Sequence, residues 1–390
     1  MSKAWSEQGD EVTVIAGTYN ITEDKIYDFC KGRLIAIEDS KKGVKVIRVY
    51  TPAKYNKNFL WRAWAYFTYF AFGLLGVLLY ARGKYDVIIA SSPPLTVGPL
   101  GVMLSFFKRC PLIFEVRDLW PESAIDTGVL TNPLLIRVMY FMERISYHNA
   151  AAINVLTPAF KEALIHRKGI AEDKVWMIPN AADLDIIKPG PMDESIRARH
   201  GWGDRFVVFY MGAHGKANCL WQLIDAARIL KKEPEYLIVC IGSGMERDAL
   251  INKAKEEELT NISFLPAVRR DEVNAYLSAC DVSIIVLKKI DTFKTVYPNK
   301  MFDSMSAAKP IILAIDGEAR KLVVDEAKCG VYVEPENALE IAEKIRFYKT
   351  SPQTASQHGE NGYKYVCEHY DRRKLAAKYR ELIRQRVIKV

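Results

Sequence analysis

The sequence lacks the cysteine patterns that build disulfide scaffolds and zinc sites. Its seven cysteines are spread over 390 residues, and no two of them form a C-x-x-C pair. This distribution is typical of a protein with reduced thiols, and it excludes a disulfide framework or a structural zinc cluster. We therefore predict a cytoplasmic protein.

Several patterns that announce a catalytic class are also missing. The chain has no Ser-His-Asp order and no G-x-x-x-x-G-K-[ST] phosphate loop. Asp183-Leu184-Asp185 does match a D-x-D pattern that binds a divalent ion in some transferases. It lies beside the connection between two predicted domains, not at the end of a buried strand. We therefore predict neither a metal nor a cofactor.

Acidic residues are scarce in one long interval. Between Lys41 and Arg109 the only acid is Asp86. The basic residues of the interval are Lys41, Lys42, Lys45, Arg48, Lys54, Lys57, Arg62, Arg82, Lys84, Lys108 and Arg109. They surround an apolar run, Phe59–Tyr80, whose one charge is Arg62. The run carries aromatic side chains of the kind found at membrane interfaces, namely Trp61, Trp64, Tyr66 and Tyr69.

Three interpretations of this apolar run stay open. Its length suits a transmembrane helix, but a span would put the flanking strand-like segments, Val44–Val49 and Asp86–Ala90, on opposite sides of the bilayer. A buried core helix is the second interpretation. The basic flanks favour the third, a helix lying on the inner face of the plasma membrane. We predict a peripheral membrane segment over residues 54–84. Nucleic acid is not a predicted partner, because the charges surround aliphatic and aromatic bulk.

The length and the pattern predict an α/β protein of two domains. A chain of 390 residues exceeds the usual limit for a single core. Strand-like runs alternate with helical patterns, which is typical of parallel sheets with crossover helices. The predicted strands are Val12–Ala16, Val44–Val49, Val87–Ala90, Leu112–Val116, Ala152–Leu156, Phe206–Tyr210, Leu237–Ile241, Ile262–Phe264, Val282–Val286, Ile311–Ala314 and Gly330–Val333. The segment Lys188–Arg205, rich in Pro, Gly and charge, is interpreted as the connection between domains.

The front of the chain departs from the usual order of a doubly wound domain. It opens in a predicted helix, Ser2–Gln8, turns at Gly9-Asp10 and only then forms a strand. Such domains normally open with a central strand and a glycine-rich turn. The sequence therefore either starts late relative to the complete protein, which we favour, or its first domain is built differently.

Two glycine turns in the second half predict a phosphate-binding site. Gly212 and Gly215 follow one predicted strand, and Gly242 and Gly244 follow another. Glycine lets backbone N–H groups approach a ligand closely, and the helix after each turn directs its partly positive N-terminus at that ligand. The polar and charged side chains that accompany these turns are His214, Lys216 and Arg247.

A third helix start completes the predicted site. Pro298 and Asn299 precede Lys300, which can reach a phosphate, and Asp303 lies one helical turn further on. An acid there can accept hydrogen bonds from a ribose diol. We also assign Val268 to this site. Three helix starts after strands of one α/β domain predict a site for a doubly phosphorylated ligand.

Polar residues also follow two strands of the first domain. Ser91 and Ser92 follow one strand, and Arg117, Asp118 and Trp120 follow the next. Parallel sheets bind ligands at the carboxyl ends of their strands, so we predict that these residues line the acceptor side. The alternative is a purely structural Arg–Asp pair with a packed tryptophan.

Together these residues resemble the family 4 retaining glycosyltransferases, which have the GT-B fold. The likeness covers nearly the whole chain and is closest to bacterial enzymes that build O-antigen lipopolysaccharide, capsule and related surface polysaccharides. Its motifs are Arg117–Ser123, similar to "RDLWPES", Ile178–Asp183, similar to "IPNGVD", Met211–Gly215, similar to the "GNHG" turn, and Tyr297–Pro310, similar to "PSKxxEYxAxGxP".

The resemblance implies two Rossmann-like domains facing across a cleft. The acceptor domain would cover residues 1–187, and the nucleotide-sugar domain residues 188–360. C-terminal helices over 361–390 would pack back toward the first domain. The resemblance further implies a nucleotide-diphosphate sugar donor, most often UDP-linked, and a polyprenyl-diphosphate-linked saccharide acceptor at the inner membrane. Transfer of a hexosyl or N-acetylhexosaminyl group would then need no metal. The implied catalytic residues are Lys300, Asp303, Arg117 and Asp118.

The sequence departs from the family pattern in ways that bear on the donor. Thr295 and Asp303 stand where the family has two glutamates, and Asn218-Cys219 stands where many members have Lys-Gly. We expect Thr295 to shift donor preference, and one phosphate charge to come from elsewhere. Family glycines are replaced by Ala181 and Ala308.

Two alternative functions stay open. A UDP-sugar 2-epimerase shares the architecture, but those enzymes are soluble, so the apolar run argues against it. A catalytically silent, membrane-associated partner subunit is suggested by the missing first strand and by Thr295 and Asp303.

Overall fold

A computed structural model describes residues 1–20, 25–39, 43–53 and 59–388. Lys41, Lys42, Lys54 and Lys57, counted above among the basic residues, lie outside these ranges, as do the first five residues of the predicted membrane segment 54–84.

The chain folds into two compact units. Unit 1 comprises Met1–Pro179 together with the C-terminal segment from Arg372, and unit 2 comprises Asn180–Asp371. The C-terminal helix Arg372–Arg386 belongs to unit 1, where the Trp5 indole N–H donates to the Ala376 carbonyl at 2.9 Å. The helix before it, Pro352–His369, belongs to unit 2.

Unit 1 contains nine strands and seven α-helices among its described residues. The strands are β1 (Val12–Gly17), β2 (Tyr19–Asn20), β3 (Lys25–Ile26), β4 (Ile35–Asp39), β5 (Val44–Val49), β6 (Ile88–Ser92), β7 (Leu112–Val116), β8 (Ala152–Val155) and β9 (Val175–Met177). The helices are α1 (Ser2–Glu7), α2 (Phe59–Tyr80), α3 (Val97–Lys108), α4 (Glu122–Asp126), α5 (Pro133–Asn149), α6 (Pro158–Glu162) and α15 (Arg372–Arg386).

The strands of unit 1 form two larger sheets and a hairpin. The first sheet has the order β1-β5-β4, with β1 parallel and β4 antiparallel to β5. The second has the order β6-β7-β8-β9 and is parallel throughout. The strands β2 and β3 form the hairpin. All six residues of β1 are only half-buried, because this strand lies at the edge of its sheet.

Unit 2 contains six strands and eight α-helices among its described residues. The strands are β10 (Phe206–Met211), β11 (Tyr236–Ile241), β12 (Ile262–Leu265), β13 (Val282–Val286), β14 (Ile311–Ala314) and β15 (Gly330–Tyr332). The helices are α7 (Glu194–His200), α8 (Trp221–Ile229), α9 (Arg247–Glu256), α10 (Val273–Ser278), α11 (Asn299–Ser306), α12 (Glu318–Arg320), α13 (Ala338–Thr350) and α14 (Pro352–His369).

One parallel sheet organises unit 2. Its strand order is β12-β11-β10-β13-β14-β15, so the winding direction reverses between β10 and β13. Alternate residues of β10 enter different cores: Val208 and Tyr210 pack on one face of the sheet, and Val207 and Phe209 on the other. Both faces are therefore covered, which explains the continuous apolar strands. Parallel sheets with such a reversal bind ligands beyond the carboxyl ends of the strands at that point.

The structure confirms the predicted α/β class with parallel sheets. All of the predicted strands occur, with ends displaced by two residues at most. Four strands were not predicted: the two of the short hairpin, β4 and β9. The hairpin strands and β9 have only two or three residues, so local periodicity carries little signal for them. β4 has five residues and pairs with β5, the next strand along the chain.

We expect Gly359→Ala to destabilise the protein although Gly359 lies within α14. In an open helix this change stabilises by about 1 kcal/mol. Here a Cβ would lie 2.1 Å from the Ala308 carbonyl oxygen, which belongs to the backbone and cannot rotate away. We expect a loss of about 2 kcal/mol, the cost of overpacking a filled site, in urea-induced unfolding. The control Ser356→Ala changes an exposed position of the same helix and should be neutral or slightly stabilising. Equal stability of the two variants would contradict the packing argument.

Candidate functional site

The two predicted glycine turns lie side by side at the carboxyl ends of β10 and β11. The His214 N–H donates to the Ser243 carbonyl at 2.8 Å, and the Glu246 N–H donates to the His214 carbonyl at 2.9 Å. Because β10 and β11 are parallel neighbours, with Met211 opposite Ile241, the turns that follow them lie at the same edge of the sheet. The two predicted turns are therefore next to each other in the fold.

The glycines allow the turns and one lysine to pack closely. Gly212, Gly242 and Gly244 have φ values of 153°, 152° and 156°. A Cβ on Gly242 would lie 1.9 Å from the Gly212 carbonyl oxygen, and a Cβ on Gly244 would lie 2.3 Å from the His214 carbonyl oxygen. A Cβ on Gly212 would lie 2.9 Å from Lys300 Nζ. Larger residues would therefore separate the turns or displace the lysine.

Two backbone N–H groups of the glycine turns form hydrogen bonds with neighbouring strands. The N–H of Gly212 donates to the Ile241 carbonyl at 3.0 Å, and the N–H of Gly242 donates to the Leu265 carbonyl at 3.2 Å. These two amides are thus occupied by neighbouring strands, and what Gly212 and Gly242 contribute is the space that a missing Cβ leaves. Contact of the turns with a ligand stays a prediction.

Lys300 has an enclosed ammonium group at this site. It lies in the first turn of α11, and its Nζ donates to the Tyr210 hydroxyl at 2.9 Å and to Asn218 Oδ1 at 3.0 Å. Nζ also lies 4.1 Å from the centre of the Tyr210 ring. The residue keeps some exposed surface, but Nζ itself is surrounded by protein, and this burial lowers the pKa of Lys300 from 10.5 to about 7. The surroundings stabilise the charge incompletely, so an anion bound here would complete them.

His214 is a second buried group without ordinary partners. It is fully buried, and neither ring nitrogen makes a hydrogen bond of ordinary geometry with the described residues. Burial, followed by the charges of Arg247 and Lys300, lowers the pKa of His214 to about 4. The imidazole is therefore neutral at physiological pH. The Ile241 backbone interacts with the ring, so the single N–H of the neutral imidazole has a poorly aligned partner that a ligand oxygen could replace.

Arg247 and Glu246 lie where the second turn enters α9. The Arg247 guanidinium donates to the Phe264 carbonyl at 3.3 Å, while its Nε is buried without a partner in the described structure. The carboxylate of Glu246 accepts a long hydrogen bond of 3.5 Å from the Trp221 indole N–H. This edge of the sheet thus holds two basic side chains, Lys300 and Arg247, and one acidic side chain, Glu246.

The remaining residues predicted for this site belong to the same turns and helix start or to the neighbouring core. Pro298 precedes α11, and the exposed Asn299 is its first residue. Gly215 and the exposed Lys216 continue the first glycine turn. Val268 packs against the core that contains Phe209 and Ile241. Their assignment to the site stays a prediction.

Asp303 is held by an arginine that the sequence analysis did not consider. The carboxylate is nearly buried, and each of its oxygens accepts a hydrogen bond of 2.7 Å from Arg270. Arg270 lies in the loop after β12, and this pairing raises the pKa of its guanidinium. A bidentate pair fixes the orientation of the carboxylate and leaves one lone pair on each oxygen for a hydroxyl donor. A ribose can contact Asp303 only if its hydroxyl groups reach the carboxylate beside Arg270, and this contact stays a prediction.

The residues predicted on the acceptor side belong to unit 1. Ser91 and Ser92 end β6, in register with Glu115 and Val116 of β7. The Ser91 hydroxyl donates to Glu115 Oε1 at 2.8 Å, and Ser92 is buried. Arg117 follows β7 directly and is exposed, and its N–H donates to the Ser92 carbonyl at 3.1 Å. Parallel pairing thus brings the ends of both strands together.

Asp118 and Trp120 form the turn from β7 into α4. Asp118 accepts a hydrogen bond of 2.8 Å from the Ser123 hydroxyl, and its burial raises the pKa of the carboxyl group. Trp120 is half-buried. The hydrogen bond to Ser123 orients the side chain toward its own turn. A structural role for Asp118 therefore has direct support, and its catalytic role stays a prediction.

Three residues of the candidate site were missed or undervalued. In the sequence, Tyr210 looks like an ordinary strand residue and Arg270 like a surface charge. Asn218 stands where many members of the family have a lysine. Each approaches Lys300 or Asp303 from a distant part of the chain, so no local spacing indicates it. Thr295, expected to shift donor preference, donates its hydroxyl to the Thr292 carbonyl at 2.6 Å. In the described ranges, no group of three or more His, Cys, Asp or Glu side chains is placed to hold a metal ion.

Both units match known protein families. Residues 1–181 match the glycosyl transferase 4-like domain, and residues 192–365 match the glycosyl transferases group 1. A probable glycosyltransferase of Pseudomonas aeruginosa, WbjE, is 24% identical over 276 residues, which are 70% of this chain and 68% of WbjE. A putative teichuronic acid biosynthesis glycosyltransferase of Bacillus subtilis, TuaH, is 20% identical over 67% of this chain and 63% of its own length.

A solved structure has the same fold. HepE of Anabaena in complex with UDP-glucose superposes with a TM-score of 0.71 at 17% identity, covering 95% of this chain and 99% of that chain. This likeness extends over both units and shows the GT-B fold, with its two Rossmann-like domains.

We expect Lys300→Met to stabilise the ligand-free protein. With a pKa near 7 instead of 10.5, the folded state pays the full cost of a buried charge below about pH 7 and none above about pH 10.5. The wild type should therefore gain stability as the pH rises through this window. The variant should melt about 3–6 °C higher at neutral pH, and the difference should shrink toward high pH. Lys255→Met, at an exposed position of α9, is the matched control. A variant less stable than the wild type throughout would refute the desolvation argument.

We expect Arg270→Ala to cost about 1–2 kcal/mol of stability, because it leaves the nearly buried Asp303 carboxylate unpaired. The Arg270 side chain is 44% exposed, so the loss should stay below that of a fully buried pair. Adding Asp303→Asn should recover most of the loss, since the stranded charge is then removed. Arg269→Ala breaks an exposed pair with Asp271 and should change almost nothing. Additive effects of the two changes in chemical denaturation would show that the pair is not coupled.

Proposed function

The chain is a glycosyltransferase of the GT-B fold, and we propose that it moves a sugar from a nucleotide-diphosphate sugar to a lipid-linked saccharide, with retention of anomeric configuration. The proposed donor is UDP-linked and carries a hexosyl or N-acetylhexosaminyl group. The proposed setting is the assembly of a bacterial surface polysaccharide of the O-antigen or capsule class.

The observation that carries the donor proposal is the enclosed Nζ of Lys300 beside the two glycine turns. A diphosphate brings two or more negative charges to a site that already holds Lys300, Arg247 and the neutral donor His214. The start of α11 adds the partly positive end of a helix. HepE, which has the same fold, was solved with UDP-glucose, which supports a UDP-linked donor for this chain.

In the proposed reaction these residues mainly stabilise the negative charge of the departing diphosphate. The bond between the anomeric carbon and the diphosphate oxygen breaks, and a bond from the acceptor hydroxyl to the same face of that carbon forms. The hydroxyl proton passes to the departing phosphate oxygen. Negative charge grows on the diphosphate as it leaves, and fixed cations stabilise it without reorganising. In comparable oxyanion sites one such donor is worth about 3–4 kcal/mol.

We propose that this charge stabilisation needs no metal ion. Lys300 and Arg247 supply positive charge at the site, and Lys216 lies exposed on the first glycine turn. Asp303, oriented by Arg270, is proposed to accept hydrogen bonds from the ribose. The one-methylene difference from glutamate makes this contact depend on how closely α11 approaches the nucleotide.

The acceptor is proposed to be a polyprenyl-diphosphate-linked saccharide. Ser91, Arg117 and Asp118 follow paired strands of unit 1 and are proposed to contact it, with Arg117 supplying positive charge. TuaH is named for teichuronic acid biosynthesis, which supports a role in surface polysaccharide assembly.

The decisive experiment is calorimetric titration of the purified chain with UDP. We expect saturable binding that Lys300→Ala weakens by at least about 100-fold, because about 3 kcal/mol of charge stabilisation is lost. Lys255→Ala should bind like the wild type. Affinity should fall as the pH rises above about 7, since Lys300 must then take up a proton to bind.

Three outcomes separate the candidate functions. Transfer of labelled sugar from a UDP-sugar to a lipid-linked acceptor, unchanged by chelation of divalent ions, supports the proposal. Conversion of the UDP-sugar without any acceptor identifies an epimerase. A catalytically silent subunit is identified if the chain shows no saturable UDP binding and Lys300→Ala leaves the titration with UDP unchanged.

A further inference from the structure

A stripe of apolar side chains on α2 faces away from the protein. Leu60, Trp64, Phe67, Leu75 and Leu78 recur at intervals of three or four residues, or multiples of them, and therefore share one side of the helix. All are exposed: Leu60 to 75% and Phe67 to 59%. Trp64 stacks on Phe67 with ring centres 5.4 Å apart, so the stripe is an organised surface.

The opposite side of α2 is fixed in the core of unit 1. Gly73 packs against Leu100 of α3, and Gly76 packs against Ile47 and Val49 of β5. The Tyr69 hydroxyl donates to the Ile15 carbonyl at 3.1 Å. By length and composition, α2 is the one described helix apolar enough to cross a bilayer. Crossing would require it to leave these contacts, so the structure favours a helix that lies along a surface.

The end of α3 extends the apolar surface. Phe106 is 77% exposed and Phe107 is 50% exposed, and both lie in the last turn of α3. Lys108 Nζ donates to the Ala81 carbonyl at the end of α2, so the C-terminal ends of the two helices lie together. The exposed aromatic rings therefore lie at the same end as Leu78.

Basic residues surround this end. Lys45 Nζ donates to the Tyr80 carbonyl at 2.8 Å. Arg82, Lys84 and Arg109 are exposed, and Asp86 is the only acid in the sequence between Lys45 and Arg109. We call Lys45, Arg82, Lys84 and Arg109 the basic collar. An apolar stripe beside such a group of cations is complementary to a bilayer, which has an apolar interior and anionic headgroups.

We propose that the surface formed by the stripe of α2, the end of α3 and the basic collar docks on an anionic lipid bilayer. In this arrangement α2 lies at the boundary between headgroups and acyl chains, and the collar contacts lipid phosphates. A second copy of the chain is a poorer occupant, because a symmetric pairing of this face would bring like charges together. The proposal is independent of the donor chemistry, and it explains how an enzyme with a lipid-linked acceptor would reach it.

The test is co-sedimentation of the full chain with vesicles. We expect binding to vesicles of phosphatidylcholine mixed with phosphatidylglycerol, weak binding to phosphatidylcholine alone, and release by salt. Trp64→Ser/Phe67→Ser should lower vesicle affinity at least about tenfold, and so should Arg82→Glu/Lys84→Glu. Thermal unfolding of each variant establishes that it is folded.

Matched controls lie on unit 2. Leu339→Ser/Phe347→Ser removes two exposed apolar side chains of α13, and Lys232→Glu/Lys255→Glu reverses two exposed charges. Both controls should bind vesicles like the wild type. Undiminished vesicle binding by Trp64→Ser/Phe67→Ser, or equal binding to both lipid mixtures, would overturn the proposal.

Two further measurements distinguish the other occupants. Fluorescence quenching by brominated lipids, taken as the difference between wild type and Trp64→Phe, should be strongest for bromine near the headgroups. Strongest quenching from the bilayer centre would mean that α2 spans the membrane. A dimer on gel filtration that Trp64→Ser/Phe67→Ser dissociates, without any vesicle binding, would assign the face to a second copy.

Discussion

The candidate site depends on one electrostatic constraint, the burial of the Lys300 ammonium group without a counter-charge. Tyr210 and Asn218 offer it only neutral oxygens, and its pKa falls to about 7. Such a charge destabilises the free protein, and a bound anionic ligand would offset that destabilisation. The same edge of the sheet holds His214, whose buried ring nitrogens lack ordinary partners. Both features identify a place where the protein is incomplete without a ligand, which is typical of functional sites.

The glycine turns make this constraint possible. Gly212 leaves room for Lys300 Nζ, and Gly242 and Gly244 let the two turns interlock through backbone contacts. The turns therefore act first as packing elements and only then as candidate ligand contacts. Asp303 shows the same dependence on distant residues, since Arg270 fixes its carboxylate in a bidentate pair.

The two units present different surfaces. Unit 2 buries both faces of a parallel sheet and concentrates charge at one edge of it. Unit 1 leaves one side of α2 exposed and surrounds its end with cations. The proposed transfer from a soluble nucleotide sugar to a lipid-linked acceptor would use both kinds of surface, and they lie on separate units.

The α/β class, most strands, the two glycine turns and the apolar helix could be predicted from the sequence, because periodicity and glycine placement are local properties. The enclosure of Lys300 by Tyr210 and Asn218, and the pairing of Arg270 with Asp303, could be seen only in the tertiary structure. The tertiary structure also decided which side of α2 is exposed. These outcomes depend on contacts between residues up to 90 positions apart, and no spacing along the chain encodes such contacts.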